Sequence, residues 1–166
     1  MRKIILSVAV SLDGFIEGPQ GEYDWCPTPS GQEMIDFMNE IDVIFMGRKS
    51  YEMADLSMFP GKVCYVFSNT LKNDKGSIHI LGGDLIAAVN EIKNQPGKDI
   101  WLFGGASLTT HFINHQLVDE MWLGLVPILL GKGKPLFQNI EARKHFMAET
   151  AKASNGYFSL KLKRKQ

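Results

Sequence analysis

Asp99-Ile100-Trp101-Leu102-Phe103-Gly104-Gly105-Ala106-Ser107-Leu108 runs an apolar strand into a glycine pair, with a helix expected over Ser107 to Asn114. Two consecutive residues without a Cβ let a ligand approach the backbone closely. The helix start beyond them offers unpaired N–H groups to a phosphate. A tight strand-to-helix connection explains the same pair, and neither a G-x-G-x-x-G fingerprint nor a Walker lysine motif is present. The neighbouring segments tilt the balance. Ile78-His79-Ile80-Leu81 is a short strand emptying into Gly82-Gly83-Asp84 ahead of a helix over Leu85 to Gln95, which Pro96-Gly97 stops. Asp42 to Met46 is a buried strand that ends in Gly47-Arg48-Lys49-Ser50, a glycine, cations and a hydroxyl suited to an anion cradle. Such mouths on one side of a mostly parallel sheet make a cofactor crevice.

The remaining segments supply the sheet. Lys3 to Val10 is too continuously apolar for a half-wet edge and predicts a central strand covered on both faces. Lys62 to Phe67 and Val118 to Val126 are further strands, and Lys144 to Thr150 with Gly156 to Lys163 form an antiparallel hairpin closing one side. The strand Glu120 to Val126, with Met121, Trp122 and Leu123, serves either a dimer face or the core. Between the first two strands, Phe15, Tyr23 and Trp25 sit on an irregular segment, where they roof the core or wall a pocket. The helix from Gly31 to Asn39 carries a capping-box pattern, Ser30 followed by Glu33, and an inner stripe of Met34, Phe37, Met38 and Ile41. Glu33 either caps this helix or turns its carboxylate into the crevice, with Asp36 as the alternative acid. Lys132 and Lys134, in the glycine-punctuated loop Pro127 to Phe137, are available to an anionic ligand.

Composition narrows the class. A chain of 166 residues with 45% apolar content fits a single domain with a sizeable core. Eighteen basic residues balance eighteen acidic ones without a charged block, which argues against a nucleic-acid partner. No stretch is long enough to span a membrane, and the short apolar run near Met1 reads as a buried strand rather than a signal peptide. Cys26 and Cys64 have no metal or redox spacing, so a reducing cytoplasm is expected. His111 and His115, four apart, lack a third ligand and are expected at a helix surface or end, with no metal site.

Five stretches, in order, resemble the dihydrofolate reductase superfamily, and within it the RibD C-terminal branch: Val8 to Ile16 (VAVSLDGFI), Met46 to Glu52 (MGRKSYE), Val66 to Thr70 (VFSNT), Leu102 to Leu108 (LFGGASL) and Leu117 to Phe137. The resemblance implies a three-layer α/β fold with a mostly parallel sheet, a C-terminal antiparallel hairpin, and NADPH across the sheet's carboxyl edge. The loop Ser11 to Ile16 would contact cofactor and substrate, with Val10, Leu12 and Ile16 on the cofactor side. Gly47, Arg48, Lys49 and Ser50 would hold cofactor phosphates, Ser68 and Asn69 the adenosine ribose and its phosphate, and Leu81 and Gly83 would line the same site. Phe103, Gly104, Gly105, Ala106, Ser107 and Leu108 would pass under the pyrophosphate and nicotinamide, with the cis Gly-Gly bond common in the family. Asp13 and Glu33 are the candidate catalytic acids, burial being the means of raising either pKa. The implied function is an NADPH-dependent reductase of a small molecule, with 5-amino-6-(5-phosphoribosylamino)uracil as the riboflavin-type substrate. The alternatives are a dihydrofolate or pterin reductase, or a homodimeric nucleotide-binding module without catalysis.

Overall fold

The computed structural model describes residues 1–27, 31–154 and 156–165. Its elements are β1 (Ile4–Ser11), β2 (Phe15–Glu17), α1 (Gln32–Glu40), β3 (Ile41–Gly47), α2 (Arg48–Met53), β4 (Val63–Phe67), β5 (Ile78–Leu81), α3 (Leu85–Asn94), β6 (Asp99–Gly104), α4 (Ala106–Asn114), β7 (Glu120–Val126), β8 (Lys134–Pro135), β9 (Phe146–Ser154) and β10 (Tyr157–Arg164). Eight strands form one sheet in the order β5-β4-β3-β6-β1-β7-β10-β9. All pairings from β5 to β7 are parallel, and the β9–β10 hairpin adds antiparallel to β7.

The apolar run of β1 is continuous because both of its faces are covered. Ile4 and Leu6 face a layer with Val89 and Ile92 of α3 and Leu108 and Phe112 of α4. Ile5 faces the opposite layer, where Phe37 of α1 packs with Trp101. Helices on both faces make three layers. In the α1 layer the Phe37 ring lies 5.3 Å from Trp101 and 5.0 Å from Trp122. Lys161 covers the far side of Trp122, its ammonium 3.4 Å from the ring centroid, a cation–π contact that lets β10 carry a lysine on an otherwise apolar neighbour.

β7, offered by the sequence as a dimer face or as core, is paired along both edges by β1 and β10, and Met121 and Leu123 are core residues. Three features depart from the sequence expectations. Gly31, not Ser30, is the N-cap of α1, and no side chain caps it; Ser30 itself lies outside the described residues. Among the described residues no peptide bond is cis, so the turn at Gly104-Gly105 is made with positive φ angles of 129° and 89° instead. Finally, a small second sheet joins β2 to β8. That pairing is short and links segments far apart in the chain, so local periodicity carries no trace of it.

Candidate active site

β3, β4, β5 and β6 all point their carboxyl ends to one side, and each strand is followed at once by a turn or helix start. Together these ends frame a crevice of about 450 Å³, the position that an open parallel sheet offers to a ligand. Gly47, Arg48, Lys49 and Ser50 form one wall, and Phe67, Ser68 and Asn69 continue it past β4. Leu81, Gly82, Gly83 and Leu85 lie beyond β5, while Gly105, Ala106, Ser107, Leu108 and His111 come from the β6–α4 turn and the first turns of α4. Lys134 of β8 completes the lining.

The two Gly-Gly turns differ in chemistry. Asp84 caps α3, its carboxylate accepting the Ala87 N–H at 3.0 Å. That carboxylate occupies the helix start and repels a second anion. α4 starts from Gly105 with no side-chain cap, so its first N–H groups stay open to a negatively charged ligand. The charges agree: Arg48, Lys49 and Lys134 line the crevice, and among the described residues no carboxylate does. Arg48 is held from behind by Glu52, at 2.8 and 3.1 Å, and Lys134 by Glu17 at 2.9 Å.

The remaining expected cofactor residues lie elsewhere. Gly104 supplies the turn immediately beneath Gly105, and a Cβ built at Gly47 would stand 3.8 Å from its carbonyl oxygen. Val10 is buried in the core, Ile16 packs against that core from β2, and the Leu12 N–H donates to the Ile128 carbonyl at 2.9 Å. Phe103 turns to the α1 face, 5.0 Å from Trp101 and 5.7 Å from Phe59. None of these four lines the crevice. His111, expected as a surface or helix-end residue, does line it, and its Nε2 is shielded from solvent without a hydrogen-bond partner among the described residues. Its spacing of four from Ser107 carries the signal, because positions i and i+4 share a helix face.

The two candidate acids are placed for other work. Asp13 accepts the Ser11 hydroxyl at 2.6 Å and the backbone N–H groups of Gly131 at 2.7 Å and Leu130 at 3.2 Å. The Ser11 hydrogen bond first, then the two amides, hold its carboxyl below the ordinary aspartate range. These hydrogen bonds favour the ionised carboxylate. Asp13 instead fastens the β1–β2 turn to the loop before β8. Because its folded-state pKa is depressed, this clamp is intact above the unfolded aspartate value of about 3.9 and is lost as pH falls through the lower folded value. Amide exchange at Gly131 should accordingly accelerate, relative to the core strands, between neutral pH and pH values below 3.8; unchanged relative protection would remove the clamp. Glu33 is exposed and faces Lys152 of β9 at 4.0 Å. It does not line the crevice, and Asp36 accepts from Gln32 at 2.7 Å on the exposed side of α1.

The fold as a whole has counterparts in known proteins. The model of the RibD C-terminal domain matches residues 2–163. This chain belongs to the RibD C-terminal domain family. Among curated members, the uncharacterised protein YyaP of Bacillus subtilis is 42% identical, the match covering 93% of this chain and 91% of YyaP. A crystal structure from Shewanella sp. PV-4, provisionally named a riboflavin biosynthesis protein, superimposes with a TM-score of 0.87 at 27% identity, covering 99% of both chains. The Thermotoga maritima diaminohydroxyphosphoribosylaminopyrimidine deaminase/5-amino-6-(5-phosphoribosylamino)uracil reductase matches with a TM-score of 0.77 at 13% identity. That likeness shows the shared fold, covering 99% of this RibD C-terminal chain and 57% of the bifunctional one. The chain is thus a RibD C-terminal domain that shares its fold with a protein provisionally assigned to riboflavin biosynthesis.

Proposed function

We propose that the crevice binds NADPH and that the protein is a reductase of a small, riboflavin-type pyrimidine substrate. The observation that carries this reading is the crevice itself, with an uncapped nine-residue helix start, three lining cations and no lining carboxylate. Three observations fit a pyrophosphate-bearing dinucleotide: the open N–H groups of α4, the unpartnered Nε2 of His111, and the lack of any atom within 4 Å of a Cβ at Gly83 or Gly104. Gly105, Ala106 and Ser107 would hold the pyrophosphate, while Arg48, Lys49 and Ser68 would take a phosphate on the adenosine ribose. When bound, the cofactor supplies the hydride. The chain's own residues fix its orientation and keep water from its back face, through Phe67, Leu81 and Leu108.

Titration of the protein with NADPH, followed by intrinsic tryptophan fluorescence, tests the binding step directly; no response to NADPH or NADH would sink it. Arg48→Ala is expected to weaken NADPH binding by roughly tenfold, about 1.4 kcal/mol, and NADH binding by less. An equal loss for both would move Arg48 away from the ribose phosphate. Oxidation of NADPH in the presence of 5-amino-6-(5-phosphoribosylamino)uracil, a pterin panel and small carbonyls then identifies the substrate class.

One observation favours the second reading, a nucleotide-binding module without turnover: neither Asp13 nor Glu33 presents a shielded proton to the crevice. Binding without oxidation of NADPH on any panel member would select it. The same placement of Glu33 weighs against a pterin reductase, which needs a carboxylate turned inward from α1. A homodimer belongs to either reading. The free sheet edge, β9, carries the half-exposed Met147, and light scattering on the purified chain decides the assembly.

A further inference from the structure

His111 stands on the crevice side of α4, one turn beyond Ser107 and Leu108. Its ring stacks on that of His115, one turn further along the helix, while the residue also borders the crevice. Nε2 is shielded from solvent and has no hydrogen-bond partner among the described residues. A shielded ring nitrogen without a partner is costly to keep, and a ligand in the crevice would supply what the protein does not.

The surroundings determine which ligand atom that is. His115 stacks on the His111 ring with centroids 4.1 Å apart, and its own Nδ1 lies 2.9 Å from the His111 carbonyl. Lys134 shares the crevice lining, and Arg48 and Lys49 stand on the opposite wall. Glu141, in the loop after β8, is the acidic neighbour that acts on His111. Burial first, then His115, push the His111 pKa down, against the smaller pull of Glu141. The neutral imidazole is therefore favoured in the free protein. A phosphate brought alongside reverses that balance, because it favours the charged ring and accepts its N–H.

We infer that His111 is a proton-coupled anion contact, taking a proton from solvent as a phosphate-bearing dinucleotide enters the crevice and donating Nε2–H to a phosphate oxygen. The inference rests on the proposed dinucleotide site and adds a residue and a linkage to it. The sign follows from the two states. Below the free-state pKa the ring is charged with or without ligand, and affinity is full. As pH rises from there toward the higher bound-state pKa, each binding event must draw in a proton, and affinity falls by up to about tenfold per pH unit. Above the bound-state value the slope flattens.

Isothermal titration of the full chain with NADPH, in buffers of different ionisation enthalpy, reads the proton uptake without any turnover. Wild type is expected to take up a substantial fraction of a proton near neutral pH, and the variant His111→Gln, which keeps a hydrogen-bonding side chain but does not titrate, much less. The difference between the two proteins removes any contribution from the ligand's own ionisation. NADH is the second arm. Uptake with both dinucleotides assigns the contact to the pyrophosphate, and uptake with NADPH alone assigns it to the ribose phosphate. NADPH binding with equal uptake and equal pH slope in both proteins would overturn the role of His111 while leaving the dinucleotide site standing. Absence of binding by either dinucleotide would overturn both. The His111 Cε1–H resonance of wild type offers a readout that needs no variant: its titration midpoint should move to higher pH on saturation with NADPH, and an unmoved midpoint would contradict the inference.

Discussion

Gly105→Val is expected to weaken NADPH binding by about a hundredfold or more, roughly 2.7 kcal/mol, while the protein still folds. Gly105 has a φ of 89°, and a Cβ there would stand 3.4 Å from the Ser50 hydroxyl oxygen. A β-branched residue at positive φ is strained, at a cost of about 1–3 kcal/mol. The added methyl groups would also crowd the opening between α2 and α4, where the open N–H groups lie. Gly61→Ala separates the two effects. Its φ of 74° imposes a comparable backbone penalty, and a Cβ there meets nothing within 4 Å. It lies in the turn before β4 and does not line the crevice. Both variants should melt a few degrees below wild type, by roughly 2–4 °C per kcal/mol, and only Gly105→Val should lose the fluorescence response to NADPH. Equal binding by the two would show that the glycine pair serves the turn alone.

Asp119→Ala should destabilise the fold by about 3–5 kcal/mol, measured by urea denaturation, with a melting temperature lower by on the order of 10 °C. One carboxylate oxygen accepts the Ile4 N–H at 2.9 Å and the ammonium of Lys93, and the other accepts from Arg164 at 3.2 Å. The Lys93 side chain is 11% exposed. Truncating the acid strands a shielded cation and an N–H at the edge of the central strand in one step. The double variant Lys93→Met/Asp119→Leu should recover only the share due to the stranded Lys93 cation, because the Ile4 N–H and Arg164 still lack their acceptor. A single variant within about 1 kcal/mol of wild type would show that solvent reaches Lys93 freely.

Legibility followed the range of the interactions. The strands and their exits could be read because each signal is local: the unbroken apolar run of β1, and the glycines that end β3, β5 and β6. Asp13 shows the limit. Its sequence neighbours place it in a turn, yet its partners Leu130 and Gly131 are 117 and 118 residues away, and those amides convert a candidate acid into a clamp. Likewise, Asp84 and Gly105 open helices after similar-looking glycine pairs, but only the carboxylate of Asp84 folds back on its own helix. His111 was half visible: the helix phase was readable, whereas the shielding of one ring nitrogen was not. Trp101 illustrates the reverse, a large residue whose environment followed from the pattern, with its indole N–H donating to the Ser7 carbonyl at 3.0 Å.

The place of β1 between β6 and β7 has a consequence for biosynthesis. Ile4 pairs with Ile100, 96 positions further along the chain, and everything between them must leave the ribosome before that pairing can form. At roughly 5–20 residues per second this is a wait of about 5–20 s, during which IILSVAV is an unpaired, strongly β-prone segment. A nascent chain stalled before residue 99 should therefore depend on chaperones that shield apolar segments, and should aggregate when they are depleted. Release of that dependence is expected only once β6 and β7 have both emerged.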